Sequence, residues 1–316
     1  MKFLDVCSGI GGGRLGLILN NFECIGHSEI NKDSDYTYNC FFGQEINYGD
    51  LMQIDTNILP EFDFLIGGFP CQTFSIVGKR AGFNDNRGLV IYGISKILKD
   101  KNVPYFLLEN VKGLINHDKG NTLKIIIKEL EGLGYKIYYK VLDSLDFGVP
   151  QMRERVYIVG IKSELLKKEF MWPEKENNIE KIEDYLINYN NNKYIDENDP
   201  VFQKYLSNKY NNNKYSFEDL VCKDYQIIDY RQSDLRIYYN KIPTLRTGRH
   251  GILYSKNKRL YKISGKEALL FQGFPFDFLE KVDKYNISDN KLLSQAGNAM
   301  TVPVIKKIVK QILLTK

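Results

Sequence analysis

Residues 3–16 read FLDVCSGIGGGRLG: a short apolar strand, a turn of small residues, and the start of an amphipathic helix. Gly11, Gly13 and Gly16 satisfy the spacing G-x-G-x-x-G, in which a tight turn brings backbone N–H groups and a helix N-terminus up to a phosphate. Taken alone, the same glycines serve equally well to close a tight turn. Glu29 ends the next strand-like run, where a carboxylate can accept hydrogen bonds from a ribose diol. Asp50 follows a further strand-like stretch and is placed to receive a proton from an adenine amino group. Together these residues describe a nucleoside site without separating NAD from S-adenosylmethionine.

Outward from this turn, β-rich runs at Phe3–Cys7, Cys24–Ser28, Phe62–Ile66, Tyr105–Glu109 and Val156–Ile161 alternate with helical patterns. The clearest helix carries Leu123, Ile126, Ile127, Leu130 and Leu133 and runs into Gly132 and Gly134. Such alternation predicts an α/β fold, a Rossmann-like doubly wound parallel sheet with ligands at the carboxyl ends of its strands. After Trp172 periodicity fades, and the asparagine-rich runs 188–192 and 208–213 read as loop filler. Regularity returns at Ser264–Glu267, a capping box, and the apolar stripe of Val304, Ile305, Ile308, Val309, Ile312 and Leu313 predicts a last helix packed on the first domain. The expected organisation is a catalytic domain at 1–172 plus 291–316, and a second, smaller domain at 173–290.

No apolar run approaches the roughly 18 residues of a membrane span, and no secretory signal is seen at the N-terminus. The five cysteines (Cys7, Cys24, Cys40, Cys71 and Cys222) are scattered and form no C-x-x-C pair, which predicts reduced thiols and a cytoplasmic location. Three histidines, none at ligand spacing, argue against a metal site. Net charge is a mild +5, yet residues 201–262 hold 13 Lys and Arg against 5 Asp and Glu. That concentration suits a polyanionic partner as well as it suits a solvated basic face.

GGFPCQTFS at 67–75, ENV at 109–111, QMRERVYIVG at 151–160 and QAGNAMTVP at 295–303 follow DVCSGIGG at 5–12. In order and spacing the set resembles the DNA cytosine-5 methyltransferases, over nearly the whole chain apart from about residues 173–230. The resemblance implies S-adenosylmethionine as cofactor, held by Cys7, Ser8, Gly9, Ile10, Gly11, Gly12, Glu29, Ile30, Asp50, Leu51, Pro70, Val90, Asn298 and Ala299. It implies a target-recognition domain in the second half, and a bacterial or phage modification enzyme. Double-stranded DNA is then the expected partner of a monomer, with a cognate restriction endonuclease acting independently.

The chemistry explains the residue types. Carbon 5 of cytosine is a poor nucleophile, and a thiolate adding to carbon 6 turns the ring into an enamine that can take a methyl group. Cys71 is the expected nucleophile, on a turn where amide dipoles and cations lower a thiol's pKa. Glu109 resembles the acid that holds a proton at ring nitrogen 3, and Arg155 would bind the exocyclic oxygen, with Arg153 as a supporting candidate or a structural partner. A base inside a duplex must be flipped out, at roughly a few kcal/mol. SIVGKRAGFNDNRGL at 75–89 reads as a lid: Gly78, Gly82 and Gly88 permit motion, while Ser75, Lys79, Arg80 and Arg87 meet DNA. RIYYNKIPTLRTGRHG at 236–251 resembles the recognition core, with Arg236, Thr244, Leu245, Arg246 and Arg249 as DNA contacts.

Other readings stay open. A tRNA cytosine-5 methyltransferase shares these motifs, but the C-F-T motif expected of it is missing. A catalytically silent DNA-binding regulator would not need Cys71, Glu109 and Arg155 together. An NAD dehydrogenase rests on the glycine turn alone.

The chain departs from the family at Cys7, where a phenylalanine is common, and at Ile30, where an aromatic residue is common. Loss of aromatic contact weakens cofactor binding by about 0.5–1.5 kcal/mol per pair. Cys7→Phe is therefore expected to tighten S-adenosylmethionine binding in a calorimetric titration; unchanged affinity would refute this account of the departure.

Overall fold

The structure, a computed structural model, describes residues 1–69, 90–176, 180–188, 194–206, 211–212, 214–230, 235–248 and 251–316. Pro70, Cys71, Ser75, Gly78, Lys79, Arg80, Gly82, Arg87, Gly88 and Arg249 lie outside the described residues. Two compact units are formed. The first comprises Met1–Asp143, Glu154–Lys175 and Ala299–Lys316, and the second Ser144–Arg153 and Glu176–Asn298. Residues 291–298 thus fall in the second unit, whereas the sequence reading groups them with the first domain.

In chain order the elements are β1 (Lys2–Val6), α1 (Gly12–Ile18), β2 (Glu23–Ser28), α2 (Lys32–Phe42), β3 (Phe64–Gly68), α3 (Val90–Asp100), β4 (Tyr105–Val111), α4 (Asn121–Glu131), β5 (Tyr135–Asp143), β6 (Gln151–Met152) and β7 (Glu154–Lys162). They continue with α5 (Pro200–Leu206), α6 (Phe217–Val221), β8 (Ile227–Tyr230), β9 (Leu235–Tyr238), β10 (Ile242–Pro243), β11 (Ile252–Lys256), β12 (Arg259–Lys262), α7 (Gly265–Phe271), α8 (Asp277–Lys284), α9 (Asp289–Asn298) and α10 (Val302–Leu313).

The first unit is built on a sheet of order β2-β1-β3-β4-β7-β5. Strands β1 to β4 pair in parallel, each crossover supplied by a helix, and the order reverses at β1/β3, where doubly wound sheets bind their ligands. The sheet is mixed and not wholly parallel as the alternation suggests: β7 runs antiparallel to both β4 and β5. One face of the sheet buries Leu4, Val6, Leu65, Phe106, Leu108 and Ile158 against Ile91, Ile94, Ile97 and Leu98 of α3 and Leu123, Ile126 and Leu130 of α4. On α1, a Cβ at Gly16 would come 2.5 Å from Ile305, so only glycine admits α10 this closely. The last helix therefore joins the first unit, as its apolar stripe predicts.

In the second unit an antiparallel sheet of order β12-β11-β8-β9 packs Ile228, Leu235, Leu253 and Leu260 on Phe202, Leu220 and Val221. The capping box at Ser264 and Glu267 is formed, and it does more than cap. The fully buried Glu267 carboxylate accepts from the Ser264 N–H at 2.7 Å and from the N–H groups of Ile187 and Asn188, both at 2.7 Å. Among the described residues no helix is long and apolar enough to cross a membrane.

Behind the first turn lies a buried polar chain. Arg14, on α1, reaches Glu45 at 2.7 Å and the Tyr38 hydroxyl at 3.4 Å, and that hydroxyl lies 3.4 Å from Asp5. Its guanidinium sits 4.4 Å from the centre of the Phe42 ring. His27 stacks on Tyr38 at 3.9 Å and lies 2.8 Å from Asp35. Since a carboxylate only accepts, Nε2 is the protonated nitrogen and donates.

Burial lowers the His27 pKa, against the opposing pull of its bond to Asp35. The folded state thus holds the ring neutral while the unfolded chain protonates near pH ~6.5. The stability this contributes is complete above that pH and is lost as pH falls below it. Asp5, raised by burial, carries the opposite slope, so the comparison must be with a variant and not with wild type alone. His27→Gln should flatten the fall in Tm between about pH 7 and pH 5 that wild type shows; parallel curves would contradict a neutral buried imidazole. A Cβ at Gly160 of β7 would stand 2.0 Å from the Phe106 ring. Gly160→Ala is expected to cost about 1–3 kcal/mol, read as a lower denaturant midpoint at unchanged slope.

Candidate active site

The carboxyl ends of the parallel strands gather the first group of expected residues. After β1 the chain turns through Cys7 and Gly9 at φ 50 and 56, and Gly11 caps α1 at φ 84. A Cβ at Gly11 would lie 2.3 Å from Phe42, and one at Gly12 2.4 Å from the Met300 carbonyl. The turn is thus walled by α2 on one side and by the segment entering α10 on the other, and bulk is refused at both positions. Among the described residues nothing comes within 4 Å of where a side chain at Gly9 would be.

Glu29, just past β2, accepts from the Gly9 N–H at 2.8 Å and from the Asn31 N–H at 2.8 Å. Its carboxylate therefore shapes the glycine turn, with lone pairs left over for a diol. Asp50 caps the short 3-10 turn Leu51–Gln53 through the Met52 N–H at 2.9 Å, and Leu51 is buried. Ile30 is 75% exposed. Burial first, then Glu29, Asp5 and Asp50, push the Cys7 thiol up to about 12. It is therefore a protonated thiol near neutrality.

The fit to an adenosyl cofactor can be tested on these atoms. Ser8 Oγ is buried and, among the described residues, has no hydrogen-bond partner, so a bound polar ligand could engage it. Gly9 leaves room for close approach, and Ile30 presents apolar surface for a ring. The residues present fit such a group. Among the described residues no cluster of three or more His, Cys, Asp or Glu side chains could hold a metal ion.

The second group lies where β3, β4 and β7 end together. Gly68 pairs in register with Glu109, and Glu109 with Tyr157. Because β7 is antiparallel, its amino end sits beside the carboxyl end of β4, and Arg155 pairs with Val111. Glu109 and Arg155 then share one face and meet diagonally, Arg155 Nε lying 3.1 Å from Glu109 Oε1. Both side chains are mostly shielded, at 11% and 12% exposure. Arg155 also donates to the Glu154 carbonyl at 2.8 Å.

Asn110 is a residue whose role the sequence reading does not assign. Its buried amide donates to the Phe69 carbonyl at 2.7 Å, fixing the backbone one residue before Pro70. Its position inside ENV, next to an acid at a strand end, was the available clue.

Arg153 is placed differently from Arg155. It stands in the break between β6 and β7, only 2% exposed, with Nη1 donating to the carbonyls of Leu245 (3.2 Å) and Gly297 (3.0 Å). Nearby in the second unit, the Thr244 hydroxyl donates to the Met152 carbonyl at 2.6 Å and Leu245 is buried, whereas Arg246 and Arg236 are exposed. Val90 begins α3 half-buried, Asn298 ends α9 exposed, and Ala299 is buried in the first unit.

Residues 1–314 match the family described as C-5 cytosine-specific DNA methylase. The type II methyltransferase M.SsoII of Shigella sonnei is 35% identical over 317 residues, spanning 99% of this chain and 80% of its own length. M.NgoBI of Neisseria gonorrhoeae, another type II methyltransferase, is 36% identical over 311 residues, spanning 96% of this chain and 90% of its own. Among solved structures, the S. pombe Dnmt2 methyltransferase superposes with a TM-score of 0.74 at 18% identity, covering 99% of this chain and 98% of that one. Entamoeba histolytica EhMeth gives a TM-score of 0.70 at 20% identity, covering 99% and 98%. These last two likenesses concern the fold alone.

Proposed function

The chain belongs to the C-5 cytosine-specific DNA methylase family, as a DNA cytosine-5-methyltransferase, and we propose that it works through a covalent bond between Cys71 and an extruded cytosine. The substrate is a cytosine within a specific short duplex sequence, and the setting is the modification half of a restriction-modification system. The enzyme acts as a cytoplasmic monomer, with any cognate endonuclease working independently. Bound S-adenosylmethionine supplies the methyl group for carbon 5. Ser8 to Gly12, Glu29, Ile30, Asp50 and Leu51 would hold it.

The observation that carries this reading is the Glu109–Arg155 pair at 3.1 Å, in register with Gly68, two residues before Pro70. A carboxyl and a guanidinium set side by side and shielded from water offer a flipped pyrimidine a group that can hold a proton against a ring nitrogen and a cation for an exocyclic oxygen. The Cys71 thiolate adds to carbon 6, and the electron pair displaced from the 5,6 double bond makes carbon 5 nucleophilic. Glu109 holds a proton at ring nitrogen 3, balancing the charge that the addition places on the ring. Arg155 stabilises the same charge at the exocyclic oxygen, where removal of one such donor typically costs about 10²–10³ in rate. After alkylation the carbon 5 proton leaves, the double bond re-forms, and the thiolate departs.

Duplexes carrying 5-fluorocytosine at the modified position have no removable proton there, so they should trap the protein covalently at Cys71 in the presence of cofactor. Peptide mapping that finds no adduct from an active preparation would defeat the covalent route. Glu109→Gln is expected to lower kcat by about 10²–10⁴ while duplex affinity stays within a few fold, measured by tritium transfer and by gel shift.

A further inference from the structure

Arg153 lies two residues from Arg155 in QMRER, yet every contact described for it runs into the second unit. Its Nη1 bridges two carbonyls on different segments, Leu245 and Gly297. Gln151 works beside it: its Oε1 accepts from the Leu245 N–H at 3.2 Å, and its Nε2 donates to the Phe271 carbonyl at 2.7 Å. β6 pairs in parallel with β10, and the Ile242 N–H donates to the Pro150 carbonyl at 2.8 Å. Farther along the same segment, Thr247 Oγ1 donates to Asn298 Oδ1 at 2.6 Å and to the Ser294 carbonyl at 3.1 Å. A Cβ at Gly297 would come 2.7 Å from the Arg246 carbonyl carbon, so α9 and residues 246–247 touch backbone to backbone. Gln272 Nε2 holds the Ala296 carbonyl at 2.7 Å, which ties α7 to the same helix end.

We infer that Arg153 is a positioning residue for DNA reading: with Gln151 and Thr247 it clamps Thr244–Thr247 between β6 and the end of α9, so that Arg246 is presented on rigid backbone. This rests on the proposed function, in which the second unit reads the duplex. The Leu245 N–H and carbonyl are each met by a side chain, the Thr247 hydroxyl holds the end of α9, and a segment without helix or long strand gains its order that way. An arginine side chain carries sequence information only if its root is fixed, since a base edge is read by two hydrogen bonds at set positions. The exposed Arg246 side chain on a cross-braced backbone meets that requirement.

The role separates from catalysis in kinetics. Arg153→Met removes the bridge and is expected to raise KM for the cognate duplex about tenfold. It should narrow the preference for that duplex over one-base variants and leave kcat at saturating DNA within about twofold. Arg153→Lys, which keeps a cation with more than one donor, should recover most of the loss. Arg153→Met leaves two buried carbonyls without their donor and can lower the yield of folded protein, so Thr247→Val provides a surface variant: KM and fidelity should shift the same way, more weakly, and Thr247→Ser should restore both. Binding of S-adenosylhomocysteine to the DNA-free protein should be unchanged in Arg153→Met and Arg153→Lys. A fall in kcat with constant KM would place Arg153 at the reacting base and overturn the inference. Wild-type KM and fidelity in Thr247→Val would overturn the clamp. Wild-type protein that methylates no duplex would instead overturn the function on which the inference rests.

Discussion

Glu109 and Arg155 lie 3.1 Å apart, largely out of water, because one strand of an otherwise parallel sheet runs backwards. Parallel strands bring carboxyl ends to one edge, and side chains there come from the loops that follow. Inserting β7 in the opposite sense brings an amino end to that edge as well, so two strand-borne side chains meet across a ladder. Strands hold such groups more firmly than loops do. Neither charge could be shielded alone without a heavy penalty, and each therefore makes the other's position tolerable.

The turn after β1 shows a different way of holding a site. Here the backbone is shaped by refusal of bulk: Phe42 and the Met300 carbonyl leave no room for side chains at Gly11 and Gly12. Glu29 then draws the Gly9 N–H inward. Behind this surface the chain Glu45, Arg14, Tyr38 and Asp5 ties α1 and α2 to β1. Buried polar groups of this kind are costly unless mutually satisfied, and among the described residues Ser8 Oγ has no partner in the turn. In the second unit, side chains again do the work of regular structure, with Arg153, Gln151 and Glu267 meeting backbone groups that no ladder satisfies.

The order of motifs, the five strand positions, the capping box at Ser264 and the stripe of α10 were all legible along the chain, because periodicity and turn chemistry are local. The direction of β7 was not, since a buried strand has the same apolar run whichever way its neighbour points. Nor could the spacing R-E-R divide the work of Arg153 and Arg155. By alternation both belong to one face, and only the break between β6 and β7 sends the first into the second unit while the second stays on the sheet edge.

Gly297 illustrates the same boundary. What a Cβ there would meet is the backbone of residues 246–247, some fifty positions away in the chain. Asn110 likewise sat in plain view within ENV, and its partner, the Phe69 carbonyl, is named only by the pairing of β3 with β4. The amino-acid sequence by itself determined the kinds of chemistry available and the elements that carry them, because both depend on neighbours a few residues apart. Tertiary structure alone decided which groups meet, because strand direction, register and helix contact are settled between segments far apart in the chain.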